Sequence, residues 1–328
     1  MMVRFIARRI LIIPIALLVV NFLGFTYAHY ARPLRAARTP YVRAEEAGPL
    51  LPAYLDYVET ITSLDFSMAL NLPGSRSGPS ELGTTLWEAT KASLGLMSIA
   101  LVLSVISGIF LGLRSVQNEP PGVSRWLTLV STVGLAMPSF YIGSLFIVLS
   151  VFYVLWRGPS TGMPLPLDGF GWDSHLVFPT LALMARPTVQ VAQVTAGLLS
   201  NELGKQYITA ARSLGHTWRS VRNQQAMRNI IAPIVLTIAS MLRLLVGELI
   251  LIEWLFRWPG LGRLLAWTLV PAQLSSSSGS PLFLNPPVMS AVLTLIAALF
   301  LISDFISAVL VRVFDPRLRH PESESYNV

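Results

Sequence analysis

The sequence predicts an all-α membrane protein with six transmembrane helices. Only 12% of the 328 residues are charged, about half of the share found in an ordinary soluble domain. The mean hydropathy is +0.60. Six apolar runs each supply the roughly 20 residues that a helix needs to cross the hydrocarbon core of a bilayer. Because unpaired backbone groups are costly in lipid, and these runs are too long for barrel strands, helices are the expected spanning structure.

The six runs differ in character. The first begins with basic residues, as a secretion signal does, but its apolar part exceeds the roughly 7–15 residues of a signal peptide and no small-residue cleavage site follows. We therefore expect a retained helix. The third run contains Pro138, where we expect a kink, and the fourth is the most polar. In chain order the runs are 1–30, 94–113, 126–156, 175–199, 230–256 and 288–311.

The distribution of Lys and Arg orients these helices. With the N-terminus inside, the inner segments carry more basic residues than the outer segments, which favours cytoplasmic positions for both termini. The outer loop after the first helix contains PAYLDYVETITSLDF, which predicts a short surface helix, and the serine run at 275–278 indicates a flexible outer insertion. The predicted parts are a transmembrane helix at 1–30, an extracytoplasmic loop at 31–85, a five-helix core at 86–315 with a cytoplasmic loop at 200–229, and a cytoplasmic tail at 316–328.

Composition and motifs exclude several classes of function. Cysteine is absent, so disulfides and thiolate metal sites are excluded, and four scattered His residues lack metal-ligand spacing. No P-loop, nucleophile elbow, HExxH or dinucleotide fingerprint occurs, so we predict no enzyme, metal or cofactor. The net charge of +7 is attributed to membrane topology and not to nucleic-acid binding, because the basic residues are spread over many loops.

Charged residues inside the apolar runs are candidate functional groups. Each costs several kcal/mol unless it is paired or hydrated. Arg243 and Glu248 are separated by about 140° around a helix, so we expect each to meet a partner on another helix. These residues would line a polar translocation path or form structural pairs. Glu253 and Lys91 lie near predicted helix ends, where a structural pair or a snorkelling side chain is the better explanation.

A polar, basic stretch at 206–233, QYITAARSLGHTWRSVRNQQAMRNIIAP, separates two apolar runs. Ala210 and Ala211 have small side chains and favour helix. Gly215 permits a turn with positive φ. The pattern predicts a helix, a turn and a second helix on the cytoplasmic side. Its arginines fit acidic groups of a partner protein or anionic lipid headgroups, and the stretch alone leaves both open. They are Arg212, Arg219, Arg222 and Arg228.

The same stretch resembles a known family. AARSLG matches the Ala-Ala-x-x-x-Gly heart of the cytoplasmic loop in ABC importer permeases, and AMRNIIAP resembles the ALRNALLP that follows it in oligopeptide and dipeptide permeases. Further matches occur in the family's order along almost the whole chain. They are RFIARRILIIPI, AMPSFYIGSLFIVL, HLVFPTLAL, FRWPGLGRLL and FDPRLR. The chain is thus similar to permeases of the oligopeptide, dipeptide and nickel type, which have the type I importer fold.

The resemblance implies a transmembrane subunit of an ATP-driven importer in the cytoplasmic membrane. Its partners would be a second, similar permease, two cytoplasmic ATPases and an extracytoplasmic solute-binding protein. The basic stretch would dock in a cleft of the ATPase, and a turn after the fifth helix would lie outside, with Trp258 as an interfacial anchor. The implied residues are Tyr207, Ala210, Ala211, Arg212, Gly215, Arg228 and Asn229 for ATPase coupling, and Trp258, Pro259 and Gly260 for the outer turn.

Several positions depart from the family pattern. Lys205 and Gln206 stand where an acidic residue usually precedes the tyrosine, Gln225 replaces a usual histidine, and Ala196 replaces an expected arginine. These departures leave the substrate open. They also support an alternative, a non-transporting accessory subunit built on a permease scaffold. A secondary transporter would need inverted repeats, which the sequence does not show.

Overall fold

The computed structural model describes residues 2–36, 48–63, 67–70, 80–118, 120–158, 162–163, 165–167, 169–270 and 282–314. The serine run at 275–278 and the tail at 316–328 lie outside the described residues. Apart from two short hairpins, the regular structure in these ranges is helical. The helices are α1 (Met2–Ala36), α2 (Leu50–Thr62), α3 (Leu82–Arg114), α4 (Arg125–Ala136), α5 (Ser139–Arg157), α6 (Val177–Leu203), α7 (Gln206–Ser213), α8 (Trp218–Ser220), α9 (Met227–Leu255), α10 (Leu261–Leu269) and α11 (Pro286–Phe314).

The hairpins are small and antiparallel. Strand β1 (Ala69–Leu70) pairs with β2 (Ser80–Glu81) in the segment that precedes α3. Strand β3 (Val116–Asn118) pairs with β4 (Pro121–Val123) between α3 and α4. A 3₁₀ turn (Ser174–Leu176) leads into α6, and a π-helical turn (Val221–Ala226) leads into α9.

Five helices of the described residues are long and apolar enough to span a membrane: Ile6–Arg35, Leu82–Arg114, Ser139–Arg157, Trp218–Leu255 and Pro286–Phe314. The fourth predicted span corresponds to α6, which has 27 residues but is less apolar. Helix α6 packs against α4, α5 and strands β3 and β4, and many of its side chains are buried by these neighbours. A helix enclosed by protein needs less apolar surface than one facing lipid, so the count of six spans stays a prediction.

Three larger differences from the sequence prediction concern α3, the third run and α10. Helix α3 begins at Leu82 and not near 94, because its first turns pack into an apolar cluster that includes Leu86 and Ala89. The third run forms two helices, α4 and α5, with Met137 in an extended conformation (φ −89°, ψ 121°), since a residue before proline avoids the helical region. Helix α10 was not predicted. The surface helix expected in the first outer loop is present as α2.

The chain forms two compact units. The first contains Met1–Gly95, Asp168–Phe170 and Glu253–Ile302, and the second contains Leu96–Leu167, Gly171–Ile252 and Ser303–Val328. The core of the first unit joins the start of α3 to α10 and α11 through buried residues such as Leu86, Leu261 and Val292. The second unit has a core beneath the basic stretch, built from Leu199, Leu203, Ile208, Ala211, Val221, Ala226, Ile230 and Ile234.

Two glycines of the second unit let α3 approach α6 closely. A Cβ atom on Gly108 would lie 2.6 Å from the Val191 Cβ and 2.8 Å from the Thr188 carbonyl oxygen. A Cβ atom on Gly112 would lie 2.8 Å from the Ala192 carbonyl oxygen. Small residues spaced four apart allow this backbone contact in membrane helices.

Gly108→Ala is therefore expected to destabilise the protein by about 1–3 kcal/mol through overpacking. The matched control is Gly197→Ala in α6, where a Cβ atom would meet nothing within 4 Å. Thermal unfolding of the purified chain in mild detergent measures both changes. Equal midpoints for Gly108→Ala and Gly197→Ala would contradict the close contact between α3 and α6.

Candidate functional site

The basic stretch forms a helix, a turn and a second helical segment within the second unit. Helix α7 ends in a Schellman motif, in which the Gly215 N–H donates to the Arg212 carbonyl oxygen at 3.0 Å and the His216 N–H donates to the Ala211 carbonyl oxygen at 3.2 Å. Gly215 has φ 90°, so the predicted positive φ is confirmed. We call residues 205–217 the coupling segment.

One face of α7 packs on its own chain. Ile208 and Ala211 are buried and belong to the cluster that contains Leu203 and Ile230. Ala211, which the resemblance assigns to ATPase coupling, is only 8% exposed and packs on its own chain, and its part in coupling stays a prediction. Consecutive residues lie about 100° apart around a helix, so only Ala210 faces outward.

The other face of the coupling segment presents an apolar side chain that the sequence reasoning missed. Leu214 is 81% exposed and directly precedes Gly215. Arg212 is also exposed, and its guanidinium carbon lies 4.7 Å from the centre of the Trp218 ring, which is a cation–π geometry. Arg228 is exposed at the start of α9. An apolar residue next to a helix-ending glycine is the sequence signal that could have identified Leu214.

A buried carboxylate fixes the base of the coupling segment. Glu202 lies at the end of α6, and its Oε1 accepts hydrogen bonds from the Tyr207 hydroxyl and from the Asn229 Nδ2, both at 2.8 Å. Its Oε2 pairs with the Lys205 Nζ at 2.6 Å. The ends of α6, α7 and α9 are thereby joined by one side chain. We call Glu202, Lys205, Tyr207 and Asn229 the Glu202 cluster.

The Glu202 cluster brings together two predicted residues and two that were not predicted. Tyr207 and Asn229 were expected to take part in coupling, and here they serve as donors to Glu202. Lys205, which departs from the acidic residue of the family pattern, supplies the charge that balances Glu202. Glu202 itself was missed, because no local pattern marks its contact with a residue 27 positions away.

The electrostatics of the Glu202 cluster favour one protonation state. Burial alone would raise the pKa of Glu202, but the hydrogen bonds from Lys205, Asn229 and Tyr207 outweigh burial and lower it. Burial, together with the hydrogen bond to Glu202, raises the pKa of Tyr207 to about 12. Glu202 is therefore ionised at neutral pH and Tyr207 is a neutral donor. Because the pKa of Glu202 is lower in the folded protein than in the unfolded chain, its ionised form stabilises the fold at pH values above the unfolded pKa. This stabilisation is lost as the pH falls through the folded pKa.

Two ion pairs lie inside the predicted spans of the second unit. The Arg243 Nη1 is 2.8 Å from the Asp304 Oδ1 and joins α9 to α11, while the Arg186 Nη1 is 2.9 Å from the Glu248 Oε1 and joins α6 to α9. Arg243 and Glu248 thus each meet a partner on another helix, as their spacing predicts. The side chain of Arg243 is 47% exposed and that of Glu248 is 12% exposed.

The turn after α9 corrects a further prediction. Trp258 is not an interfacial anchor, because its side chain is fully buried and its Nε1 donates to the Ala92 carbonyl oxygen at 3.0 Å. The ring of Phe170 packs edge-on against it, with centroids 5.0 Å apart. A tryptophan whose N–H finds a protein acceptor can be buried completely. The chain does turn at Pro259 and Gly260 before α10 begins.

Glu253 holds this turn in place. Its Oε1 accepts from the Ser93 hydroxyl at 2.6 Å, and its Oε2 accepts from the Gly262 N–H at 2.7 Å. Gly260 lies so close to this carboxylate that any Cβ atom would collide with it. Glu253 is therefore a buried structural residue and does not snorkel. Lys91 forms an exposed pair with Glu88 at 2.6 Å.

These features define the class of protein. Long apolar helices, with charges paired between them, are the parts of a multi-pass membrane protein. Residues 104–320 match the model of the binding-protein-dependent transport system inner membrane component family, and the chain belongs to this family. It is a permease subunit of an ABC importer and a multi-pass protein of the cell membrane.

Curated relatives agree with this assignment. The chain is 27% identical over 236 residues to the dipeptide transport system permease protein DppB of Lactococcus lactis, covering 72% of this chain and 71% of that protein. It is 24% identical over 274 residues to the oligopeptide transport system permease protein AppB of Bacillus subtilis, with 82% and 81% covered. It is 26% identical over 294 residues to the di/tripeptide transport system permease protein DppB of Pseudomonas aeruginosa, with 83% and 82% covered.

Proposed function

We propose that the protein imports peptides, forming the translocation path together with a second, similar permease. Three relatives that align over more than 70% of the chain carry names that specify dipeptides, oligopeptides, or di- and tripeptides. The observation that carries the mechanism is the coupling segment, which is fixed to its own chain by the Glu202 cluster and exposed at Ala210 and Leu214.

The proposed mechanism requires partner proteins that hydrolyse ATP and deliver the peptide. We propose that two cytoplasmic ATPases hydrolyse ATP, each docking against one permease, and that an extracytoplasmic binding protein delivers the peptide. The family description, a binding-protein-dependent transport system, supports the second of these partners. Leu214 offers an apolar contact at the tip of the segment. Because Ile208 and Ala211 fasten α7 to the ends of α6 and α9, movement of the docked tip would be transmitted to the membrane helices.

The two intramembrane ion pairs support a polar path. Charged groups at membrane depth face protein or a water-filled cavity, because lipid exposure is costly. Arg243 is nearly half exposed and Asp304 is 28% exposed, so we propose that this pair faces the path and not the lipid. A peptide carries an amine at one end and a carboxylate at the other, and a lining with both signs of charge can contact each end.

Leu214→Asp is expected to weaken association with the ATPase by about 2 kcal/mol, roughly 30-fold, because burying an exposed leucine contributes about 1.5–3 kcal/mol. Gln224→Asp is the matched control, since it adds the same charge at another exposed position of the same cytoplasmic loop. Co-purification in mild detergent, with and without ATP, measures the association. Equal recovery of ATPase by both variants would contradict docking through Leu214.

Uptake of labelled peptide tests the proposed substrate. Cells that produce the permease with its ATPases and binding protein are expected to accumulate labelled di- and tripeptides only when the permease is present.

Arg243→Ala together with Asp304→Ala should lower uptake while leaving the recovered amount of permease near normal, because both charges are removed at once. Normal ATPase binding without uptake of any peptide would favour the accessory-subunit alternative.

A further inference from the structure

The first unit contains an apolar cavity that the proposed transport function does not use. Its volume is about 760 Å³, and it is lined by α1, α2, α3 and α11. Leu17, Ile61, Trp87 and Leu295 are among its lining residues, and nearly all of the lining surface is apolar. A volume of this size lies within the range of pockets that hold small organic ligands.

The Asn, Thr and Tyr side chains that line the cavity form hydrogen bonds within the chain. The Asn21 Nδ2 donates to the Thr294 hydroxyl at 3.0 Å and to the Tyr57 hydroxyl at 3.3 Å, and the Tyr54 hydroxyl donates to the Asn21 Oδ1 at 3.2 Å. The Thr90 hydroxyl donates to the Leu86 carbonyl oxygen at 2.7 Å. Because these side chains already have partners, an occupant would be held by apolar contact.

The surroundings of the cavity are apolar as well. Leu11 and Leu18 on α1 are exposed over most of their surface, and so are Leu51 and Leu55 on α2. Such a density of exposed leucine is stable next to hydrocarbon and not next to water. Helix α2 packs along α1, where the rings of Tyr54 and Tyr57 contact Phe25.

The length of the cavity decides between a lipid chain and a protein helix. The cavity extends along only about two turns of α1, from Pro14 to Asn21, and about two turns of α3, from Gly83 to Thr90. A transmembrane helix of a second permease needs a much longer groove. A hydrocarbon chain is thin and flexible, and it can enter from the bilayer between the four lining helices.

We propose that this cavity holds an acyl chain of a membrane phospholipid. The bound chain fills the space between α1 and α2 on one side and α3 and α11 on the other, and it stabilises the packing of the N-terminal helix. Family-model similarity begins at residue 104, after α1, α2 and the lining part of α3. The lipid site therefore rests largely on a part of the chain outside the matched region.

Photocrosslinking tests the proposal on the complete transporter in membranes. The probe is a phosphatidylethanolamine with a diazirine near the end of one acyl chain. After proteolysis, the fragments of the permease that carry the probe are identified by mass spectrometry. We expect α2, around Val58 and Ile61, to be labelled at least about fivefold more than α5 around Leu155. Leu155 is 75% exposed and serves as the control for a surface that touches lipid without a cavity.

Two variants that fill the cavity make the test specific. Ala291 and Leu295 line it from α11, and Ala291→Trp or Leu295→Trp is expected to lower labelling of α2 at least about fivefold while labelling at Leu155 stays unchanged. Thermal unfolding shows whether each variant is folded. If one variant is unfolded, the labelling of the other is compared with that of the natural protein. Labelling of α2 that is no stronger than at Leu155, or that persists in both folded variants, would overturn the proposal.

A cysteine at Val58 distinguishes a protein occupant, because the natural chain has no cysteine. With a short cysteine-reactive photocrosslinker at this position, we expect crosslinks to lipid and none to a second permease. A crosslink between α2 and the second permease would show that a protein fills the cavity, and it would also overturn the lipid proposal. Neither crosslinking outcome depends on peptide uptake. The lipid proposal can therefore be contradicted while the proposed transport function stands, and the reverse is also possible.

Discussion

Glu202→Ala is expected to abolish the coupling of ATP hydrolysis to transport. The change removes the acceptor of Tyr207 and Asn229 and the partner of Lys205. Hydrogen bonds to a charged group contribute about 1.5–3 kcal/mol each, and the exposed lysine recovers part of its loss in water. We expect a net loss of about 3 kcal/mol, roughly 150-fold, in the population of the anchored coupling segment.

The measurement compares peptide-stimulated ATP hydrolysis in the reconstituted transporter with limited proteolysis of the coupling segment. Glu202→Ala should lose stimulation and become susceptible to cleavage between Lys205 and Arg219. Glu202→Gln keeps one acceptor oxygen and should retain part of the stimulation. Glu59→Ala is the control, since Glu59 is an exposed glutamate of α2 in the other unit. Full stimulation and full protection in Glu202→Ala would show that the Glu202 cluster does not anchor the segment.

Gly215→Val is expected to lower coupled ATP hydrolysis roughly 5- to 30-fold. Gly215 has φ 90°, and a left-handed conformation costs a residue with a side chain about 1–2 kcal/mol, with a β-branched residue at the upper end. A Cβ atom at this position would meet nothing within 4 Å, so the penalty comes from the backbone and not from a clash. The turn that presents Leu214 would be distorted while the membrane helices stay folded.

Two matched substitutions isolate the backbone effect. Gly215→Asn should retain most of the activity, because asparagine tolerates the left-handed region. Gly204→Val should also be tolerated, since Gly204 has φ −79° at an exposed position. Initial rates of peptide-stimulated ATP hydrolysis, normalised to the amount of folded permease, give the comparison. If Gly215→Val matched Gly204→Val, the positive φ would have no functional importance.

The parts of the fold that follow from local rules were predictable. Long apolar runs marked the spanning helices, and the Gly215 turn followed from helix propensity and glycine alone. The start of α3 was missed because Glu88 and Lys91 lower the hydropathy of a segment that nevertheless packs through Leu86 and Ala89. Pro138 was expected to kink one continuous helix, but the chain forms two helices there, because the residue before the proline, Met137, is extended.

The parts that depend on distant contacts were not predictable. The prediction for Trp258 relied on the usual preference of tryptophan for the membrane interface and was wrong. The indole N–H of Trp258 donates instead to the Ala92 carbonyl oxygen, 166 positions away. The composition of the coupling segment gave no reason to choose Ala210 over Ala211, because the buried face of α7 is set by residues of α6 and α9. Glu202 looked like an ordinary charge at a helix end until its three partners were placed around it.

Docking of the coupling segment on a cytoplasmic ATPase underlies the whole proposed mechanism, and site-specific crosslinking at the tip of the segment is its sharpest test. The natural chain has no cysteine, so Leu214→Cys carries a single benzophenone label in membranes that contain the whole transporter, and Gln224→Cys is the control in the same loop. We expect an ATPase adduct that is strong at position 214, weak at position 224, and dependent on nucleotide. An adduct of equal strength at both positions, or one with lipid alone at position 214, would show that the segment does not dock through its tip.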